Sequence, residues 1–147
     1  MALRAKDFMN PAVLTVDAGA DALSCARLMV DHRQGYAVVT GGEEPISGIV
    51  TEWDLLEKVL GAGRAPSEVR VSEIATSPVV ACDADTPMDE LVARMVEHGI
   101  RRLVVTKGEH VVGVITSKSI LGMFRKYVDQ ISADIASYQS SEPGVGL

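Results

Sequence analysis

Two short polar motifs contain residue types that could bind a ligand. Thr51 and Asp54 stand three positions apart after an apolar segment, and Thr116 and Ser119 repeat this spacing later in the chain. A carboxylate accepts hydrogen bonds at two oxygens, and a threonine hydroxyl can donate one. A helix that begins beside Asp54 would point free backbone N–H groups toward an anion. Asp54 and Glu57 also have the spacing of a helix capping box, so a purely structural role stays open.

An internal repeat places these two motifs at matching positions. The tripeptide Val-Val-Thr at residues 38–40 recurs 66 positions later at 104–106, and the segment 48–51 recurs 65 positions later at 113–116. The matching segments keep the same order throughout, and the lost residue falls in the turn between them. Self-similarity over this length indicates two copies of one structural unit.

Each unit has the pattern of strand, helix, strand, strand and helix. A short β-branched run begins after Pro11 in the first unit and after Pro78 in the second, and apolar residues at helical spacing follow it. In the second unit, Thr86 is the expected N-cap and Pro87 the first helical residue. The predicted strands cover residues 13–16, 36–39, 46–51, 79–82, 102–106 and 111–116, and the predicted helices cover 22–29, 54–60, 88–95 and 120–135.

The domain limits follow from the repeat. We predict a first repeat at 1–63, a linker at 64–71, a second repeat at 72–126, and a helix extension with a flexible tail at 127–147. Residues 140–146 are expected to fray. The apolar stripe over 120–135 continues beyond its own repeat and needs a covering surface, either on the same module or on another subunit.

Composition disfavours several classes of protein. The net charge is −6, from 14 Lys and Arg against 20 Asp and Glu, and 4% of residues are aromatic, so nucleic acid is not expected as the main partner. No apolar run approaches the roughly 18 residues of a membrane span, and the N-terminus has no secretory signal. We therefore predict a cytoplasmic protein with no membrane partner. Cys25 and Cys82 are expected to be buried core thiols. Because no phosphate loop, metal-ligand cluster or nucleophile motif is found, we predict neither an enzyme nor a metal site.

The repeated unit resembles the CBS domain, whose tandem pair is called a Bateman module. The resemblance rests on the β-α-β-β-α order and on the segment Gly-Ile-Val-Thr-Glu-Trp-Asp at residues 48–54, and it extends over about 6–126. It implies an α/β (α+β) fold in which two CBS repeats pack with pseudo-two-fold symmetry. It also implies that a cleft between the repeats receives an adenosine nucleotide.

The resemblance places the main binding contacts around Asp54. There, Asp54 would accept hydrogen bonds from both ribose hydroxyls, and Thr51 would donate one to a phosphate. Val79 and Val80 would face the adenine ring. Three cations would form an anion pocket for the phosphates, unless they are ordinary solvated surface charges: Arg101, Arg102 and Lys118.

The second cleft is expected to be weaker. Thr116 and Ser119 occupy the positions that Thr51 and Asp54 hold in the first repeat. A serine hydroxyl can cap a helix, but it cannot accept two charge-assisted hydrogen bonds.

The implied function is regulatory. We expect a module that binds AMP, ADP, ATP or S-adenosylmethionine, requires no cofactor, forms a homodimer and acts in trans on a protein effector. The alternative is a structural or protein-interaction CBS pair whose ligand clefts are empty.

Overall fold

Two three-stranded sheets form the centre of the computed structural model, which describes residues 3–77 and 79–141. The first half contains helix α1 (Ala5–Phe8), strand β1 (Thr15–Asp17), helix α2 (Ala22–His32), strands β2 (Tyr36–Thr40) and β3 (Gly48–Thr51), helix α3 (Glu52–Leu55) and a π-helical segment (Leu56–Leu60). After a 3-10 turn, the second half contains helix α4 (Val71–Ile74), strand β4 (Ala81–Asp83), helix α5 (Met88–His98), strands β5 (Arg102–Lys107) and β6 (His110–Thr116), and helix α6 (Ser117–Ser141). The predicted mixed α/β fold of two repeated units is confirmed.

Both sheets have the same topology. In the first sheet β1 runs parallel to β2 and β3 runs antiparallel to it, and β4, β5 and β6 repeat this arrangement. A parallel pair requires a crossover, which α2 and α5 supply. The register places Tyr36 opposite Thr51 in the first sheet and Arg102 opposite Thr116 in the second. Each predicted polar motif therefore begins at the end of an outer strand, next to the start of the middle strand of its sheet.

Some element boundaries differ from the predictions. Strands β1 and β4 begin two residues later than predicted. Thr86 was wrongly predicted as the N-cap of α5, because Pro87 has an extended ψ of 151° and the helix begins at Met88. Thr86 is instead buried, and its backbone N–H donates to the Asp83 carbonyl at 3.0 Å. Pro78 and residues 142–146 of the predicted tail lie outside the described residues.

The two sheets face each other across a shared apolar cluster. Tyr36 and Val38 of β2 pack there with Val104 of β5 and Val114 of β6. Alternate residues of the same strands point to the opposite face, where each sheet packs on the helices of its own repeat. Both faces of each sheet are therefore covered, one of them by the other repeat.

The segments that precede each repeat cross over to the other one. Ala5 and Phe8 of α1 are buried in the core of the second repeat, whereas Val71 and Ile74 of α4 are buried in the core of the first. Asn10 forms an isolated antiparallel bridge with Val114, and Thr76 forms the equivalent bridge with Ile49. Each repeat therefore contributes a segment to the core of the other.

Helix α6 is much longer than its counterpart in the first repeat. Ile120 and Met123 in its first turns pack against the second core. From residue 124 to residue 139 its side chains are exposed. Within the described residues, no helix combines the length and the apolar character needed to cross a membrane.

Candidate functional site

Asp54 takes part in a helix cap and an ion pair. The residue is 4% exposed. Its Oδ2 accepts hydrogen bonds from the Thr51 backbone N–H at 2.9 Å and from Thr51 Oγ1 at 3.1 Å, and its Oδ1 lies 2.9 Å from Lys58 Nζ. Thr51 is the N-cap of α3, so the prediction that Asp54 caps this helix with Glu57 was wrong. The cap forms three residues earlier because the helix starts immediately where β3 ends.

The second repeat has the same cap without the charge. The hydroxyls of Thr116 and Ser119 lie 2.9 Å apart, and the Ser119 N–H donates to Thr116 Oγ1 at 3.0 Å. Four residues later the second repeat has Met123 where the first has Lys58. The charged pair of the first repeat is thus replaced by a neutral pair in the second.

A cavity of about 1050 Å³ opens between the two repeats. It lies at the ends of β2, β3, β5 and β6, where the starts of α3 and α6 come together. Five of the nine predicted site residues line it: Arg101, Arg102, Thr116, Lys118 and Ser119. Seven lining residues from the first half of the chain were not among the predicted site residues: Asn10, Arg33, Gln34, Gly35, Tyr36, Glu52 and Trp53. Thr51 and Asp54 are not among the lining residues, although they flank Glu52 and Trp53 in the chain.

The cavity has a positive lining. Of its lining residues, all within the described part of the chain, four are cationic and one is acidic: Arg33, Arg101, Arg102 and Lys118 against Glu52. The Arg102 guanidinium lies 3.7 Å from Glu52 Oε1, and the Glu52 side chain is largely exposed. The predicted cations therefore converge on one cleft, in a protein with a net charge of −6. Such an arrangement favours an anion.

Arg33 has an unusual backbone conformation. It follows α2 with a φ of 52°, the one positive value outside glycine among the described residues. The equivalent position after α5 is Gly99, with a φ of 60°. A non-glycine residue in this region is strained, and such strain clusters at functional sites. Comparing the two repeats could have revealed this signal, because the sequence has arginine where the second repeat has the preferred glycine.

The two predicted adenine contacts lie apart from this cavity. Val79 packs at the edge of the cluster between the sheets and lines a second cavity of about 570 Å³ with Glu43, Glu44 and Ser77. Val80 packs on the core of the second repeat. The predicted contact residues therefore lie in three places: the cations in the cavity, Thr51 and Asp54 in a helix cap, and the two valines elsewhere.

The two cysteines are not among the lining residues of this cleft. Cys25 and Cys82 are free and buried, as predicted, and burial raises the pKa of both thiols. Across residues 3–77 and 79–141, no group of three or more His, Cys, Asp or Glu side chains is arranged to hold a metal ion.

Comparison with known families decides the identity of the fold. The CBS domain model matches residues 5–61 and 71–126. The chain belongs to the CBS-domain family. The two matches coincide with the two structural repeats, so the molecule contains a tandem CBS pair.

The chain is similar in sequence to several known proteins. An uncharacterised protein of Methanopyrus kandleri is 32% identical over 128 residues, which cover 86% of this chain and 65% of that protein. Hypoxic response protein 1 of Mycobacterium tuberculosis is 29% identical over 79% of this chain and 81% of its own length. A crystal structure of hypoxic response protein I with two coordinated zinc ions superposes with a TM-score of 0.70 at 28% identity, covering 81% of this chain and 97% of that one.

A second solved structure has bound ligands. It is the CBS domain pair of protein MJ0100 in complex with 5′-methylthioadenosine and S-adenosyl-L-methionine, with a TM-score of 0.75 at 21% identity over 86% of this chain and 99% of that one. At this identity the similarity shows the fold alone.

Proposed function

We propose that this CBS pair is a regulatory module that binds an adenosine compound with a phosphate or similar anionic group. The observation that carries the proposal is the convergence of Arg33, Arg101, Arg102 and Lys118 on one cavity between the repeats. The CBS pair of protein MJ0100, which has the same fold, binds adenosine compounds. We propose a non-enzymatic, cytoplasmic role in which ligand occupancy is transmitted to a protein effector.

The size and lining of the cavity fit such a ligand. Small-molecule sites commonly enclose about 300–1000 Å³, and this cavity is about 1050 Å³. Arginine and lysine side chains bind phosphate oxygens through charge-assisted hydrogen bonds. The Trp53 ring lines the cavity and is 65% exposed, so it offers a face on which a purine can stack.

Asp54 as a ribose ligand stays part of the proposal. Both of its oxygens are already engaged, one by Thr51 and the other by Lys58. A ribose hydroxyl would therefore have to replace the Lys58 ammonium or share an oxygen with it. Thr51 shares the cap with Asp54 and would contact the nucleoside only after the same local rearrangement. Val79 and Val80 are not among the lining residues of this cavity, so an adenine contact with them is not part of the proposal. We accordingly place the phosphate group, and not the ribose, at the centre of recognition.

The unequal repeats favour one occupied site. The cavity that contains the four cations is lined by Thr116 and Ser119, which carry no charge to repel an anion, and not by Thr51 or the buried Asp54. Because the four cations meet in a single cavity, we propose one anionic ligand for each CBS pair.

The alternative is an interaction module without a ligand. The specific observation in its favour is the exposed apolar stripe on α6, since exposed apolar patches commonly mark protein-interaction sites. The two candidates differ in whether adenosine compounds change the stability of the protein.

Thermal unfolding with added ligands tests the proposal. The melting temperature is measured with AMP, ADP, ATP, adenosine or S-adenosylmethionine. Three proteins are compared: the wild type, the double variant Arg101→Ala/Lys118→Ala, and the control variant Lys107→Ala. Lys107 is an exposed cation at the far end of β5 from Arg102. At 100 times Kd, one site adds about 2.7 kcal/mol to the free energy of unfolding. We expect a melting shift for the phosphorylated compounds that the double variant loses and Lys107→Ala keeps. If no adenosine compound shifts the wild type at millimolar concentration, the proposal fails and the interaction module replaces it.

A further inference from the structure

Helix α6 presents an apolar stripe, from Leu121 onwards, that the rest of the described chain leaves exposed. The helix spans Ser117–Ser141, but its side chains are exposed from residue 124 to residue 139. A helical segment of this length without tertiary packing is marginal in water. The stripe therefore calls for a partner that stabilises the helix.

The spacing of the stripe is that of a coiled-coil seam. Its residues are 42–69% exposed and are separated alternately by three and four positions: Leu121, Phe124, Val128, Ile131 and Ile135. Tyr138 stands at the next position of the same pattern. An average spacing of 3.5 residues keeps an apolar seam directed at a second helix, whereas a helix on a globular core shows a broader band. We call these five residues the α6 seam.

We propose that the α6 seam pairs with the α6 seam of a second copy of this chain, in an antiparallel coiled coil. The charges along α6 favour this direction. Lys118, Arg125 and Lys126 lie in its first half, whereas Asp129 and Asp134 lie towards its second half. A parallel pair would place the three cations of one helix beside those of the other. An antiparallel pair places the cationic half of each helix beside the half of its partner that contains Asp134.

One antiparallel alignment of the two helices places apolar residues beside apolar residues along the seam. With Val128 beside the partner's Ile131, Phe124 lies beside the partner's Ile135. The same register places Tyr127, which flanks the seam, beside the partner's Asp134, so the phenol can donate to that carboxylate. This association does not depend on nucleotide binding, because it uses the part of α6 beyond the cleft.

The first experiment measures assembly. Sedimentation equilibrium of the full chain at tens of micromolar should show self-association, and Ile131→Glu should reduce the number of associated chains at least two-fold. Ala133→Glu adds the same charge to an exposed position on the opposite face of the helix and should leave the assembly unchanged. A monomeric wild type, or an Ile131→Glu variant that assembles like the wild type, overturns the proposal. In the first case a helix of a different protein becomes the occupant of the seam.

The second experiment tests direction. In the antiparallel register, residue 125 of one chain lies beside residue 132 of the other. A mixture of Arg125→Cys and Ser132→Cys chains should form an oxidised cross-linked heterodimer, while each variant alone should not cross-link, because Cys25 and Cys82 are buried. Cross-linking of Arg125→Cys with itself, or none in the mixture, overturns the antiparallel pair.

Discussion

The Arg102 guanidinium stacks on the ring of Tyr36, with its central carbon 5.4 Å from the ring centroid. Each residue begins the middle strand of its own sheet, and the two occupy equivalent positions in the two repeats. Both line the cleft, and Arg102 also faces Glu52. The most enclosed cation of the cleft is thus held by a ring from the other repeat and is partly neutralised by one exposed acid.

We expect Arg102→Ala to weaken binding of a phosphorylated adenosine ligand by at least ten-fold. A hydrogen bond to a charged group contributes about 1.5–3 kcal/mol, and the stack on Tyr36 is lost as well. Arg102→Lys keeps the charge but not the planar geometry, so it should recover only part of the affinity. Titration calorimetry at two salt concentrations measures the affinity of the wild type and of each variant. Affinity that is unaffected by Arg102→Ala would contradict the assignment of the phosphate position.

Glu52→Gln should have the opposite effect and strengthen anion binding. Its carboxylate lies 3.7 Å from Arg102 and competes with a ligand anion for that guanidinium. Removing the charge should lower the Kd several-fold, and the gain should shrink as salt is added. Glu109→Gln, in the exposed turn between β5 and β6, serves as a control for a general change in charge. Weaker binding by Glu52→Gln would instead make Glu52 a ligand contact.

We expect Asp54→Ser to destabilise the protein, and Lys58→Met to recover part of the loss. The single variant removes the carboxylate from the buried cap and leaves the Lys58 ammonium bound to the Ile74 carbonyl alone. Leaving a polar group without its partner costs about 1–3 kcal/mol. The double variant reproduces the Ser119–Met123 pair of the second repeat. Urea unfolding of the two single variants and the double variant gives the coupling energy, and additive effects would mean that the ion pair does not contribute.

Ile74→Ala should lower the free energy of unfolding by about 2–5 kcal/mol, because it opens a cavity in a packed core. Ile74 belongs to α4 of the second half but is 1% exposed in the core of the first repeat. Leu60→Ala removes a side chain that is 70% exposed and serves as the control, with little expected loss. Because the cores exchange segments, both repeats should unfold in one transition. Two separate transitions in the Ile74→Ala variant would contradict a shared core.

The thiols should be protected in the native state. Desolvation raises the pKa of Cys25 and Cys82, so each is held as a neutral thiol. A pKa raised by folding contributes stability below the unfolded pKa, and this contribution is lost as pH rises through the folded value. We therefore expect a loss of stability in alkaline solution and slow reaction with a thiol reagent at neutral pH. Rapid labelling without denaturant would contradict the burial of both side chains.

Much of the fold was predictable because the sequence is duplicated. Apolar spacing in α2 and α5 and the repeated Gly-apolar-apolar-Thr segment define the same unit twice, since local periodicity depends only on which face each element buries. The burial of Cys25 and Cys82 followed from the same patterns. The basic residues Arg101, Arg102 and Lys118 were also recognised as one group, through the resemblance to CBS domains.

Other features depend on contacts between residues distant in the chain. No local pattern shows that α1 packs in the second core and α4 in the first, because an apolar turn can be buried by any surface that fits it. The N-cap of α3 is Thr51 and not Asp54, because the helix begins directly where β3 ends. Arg33 and Glu52 line the cleft because the two repeats pack face to face, which no local sequence pattern shows. The sequence by itself thus determined the repeated unit and its charged residues, whereas tertiary packing decided which of them share a cavity, since that depends on how the two repeats meet.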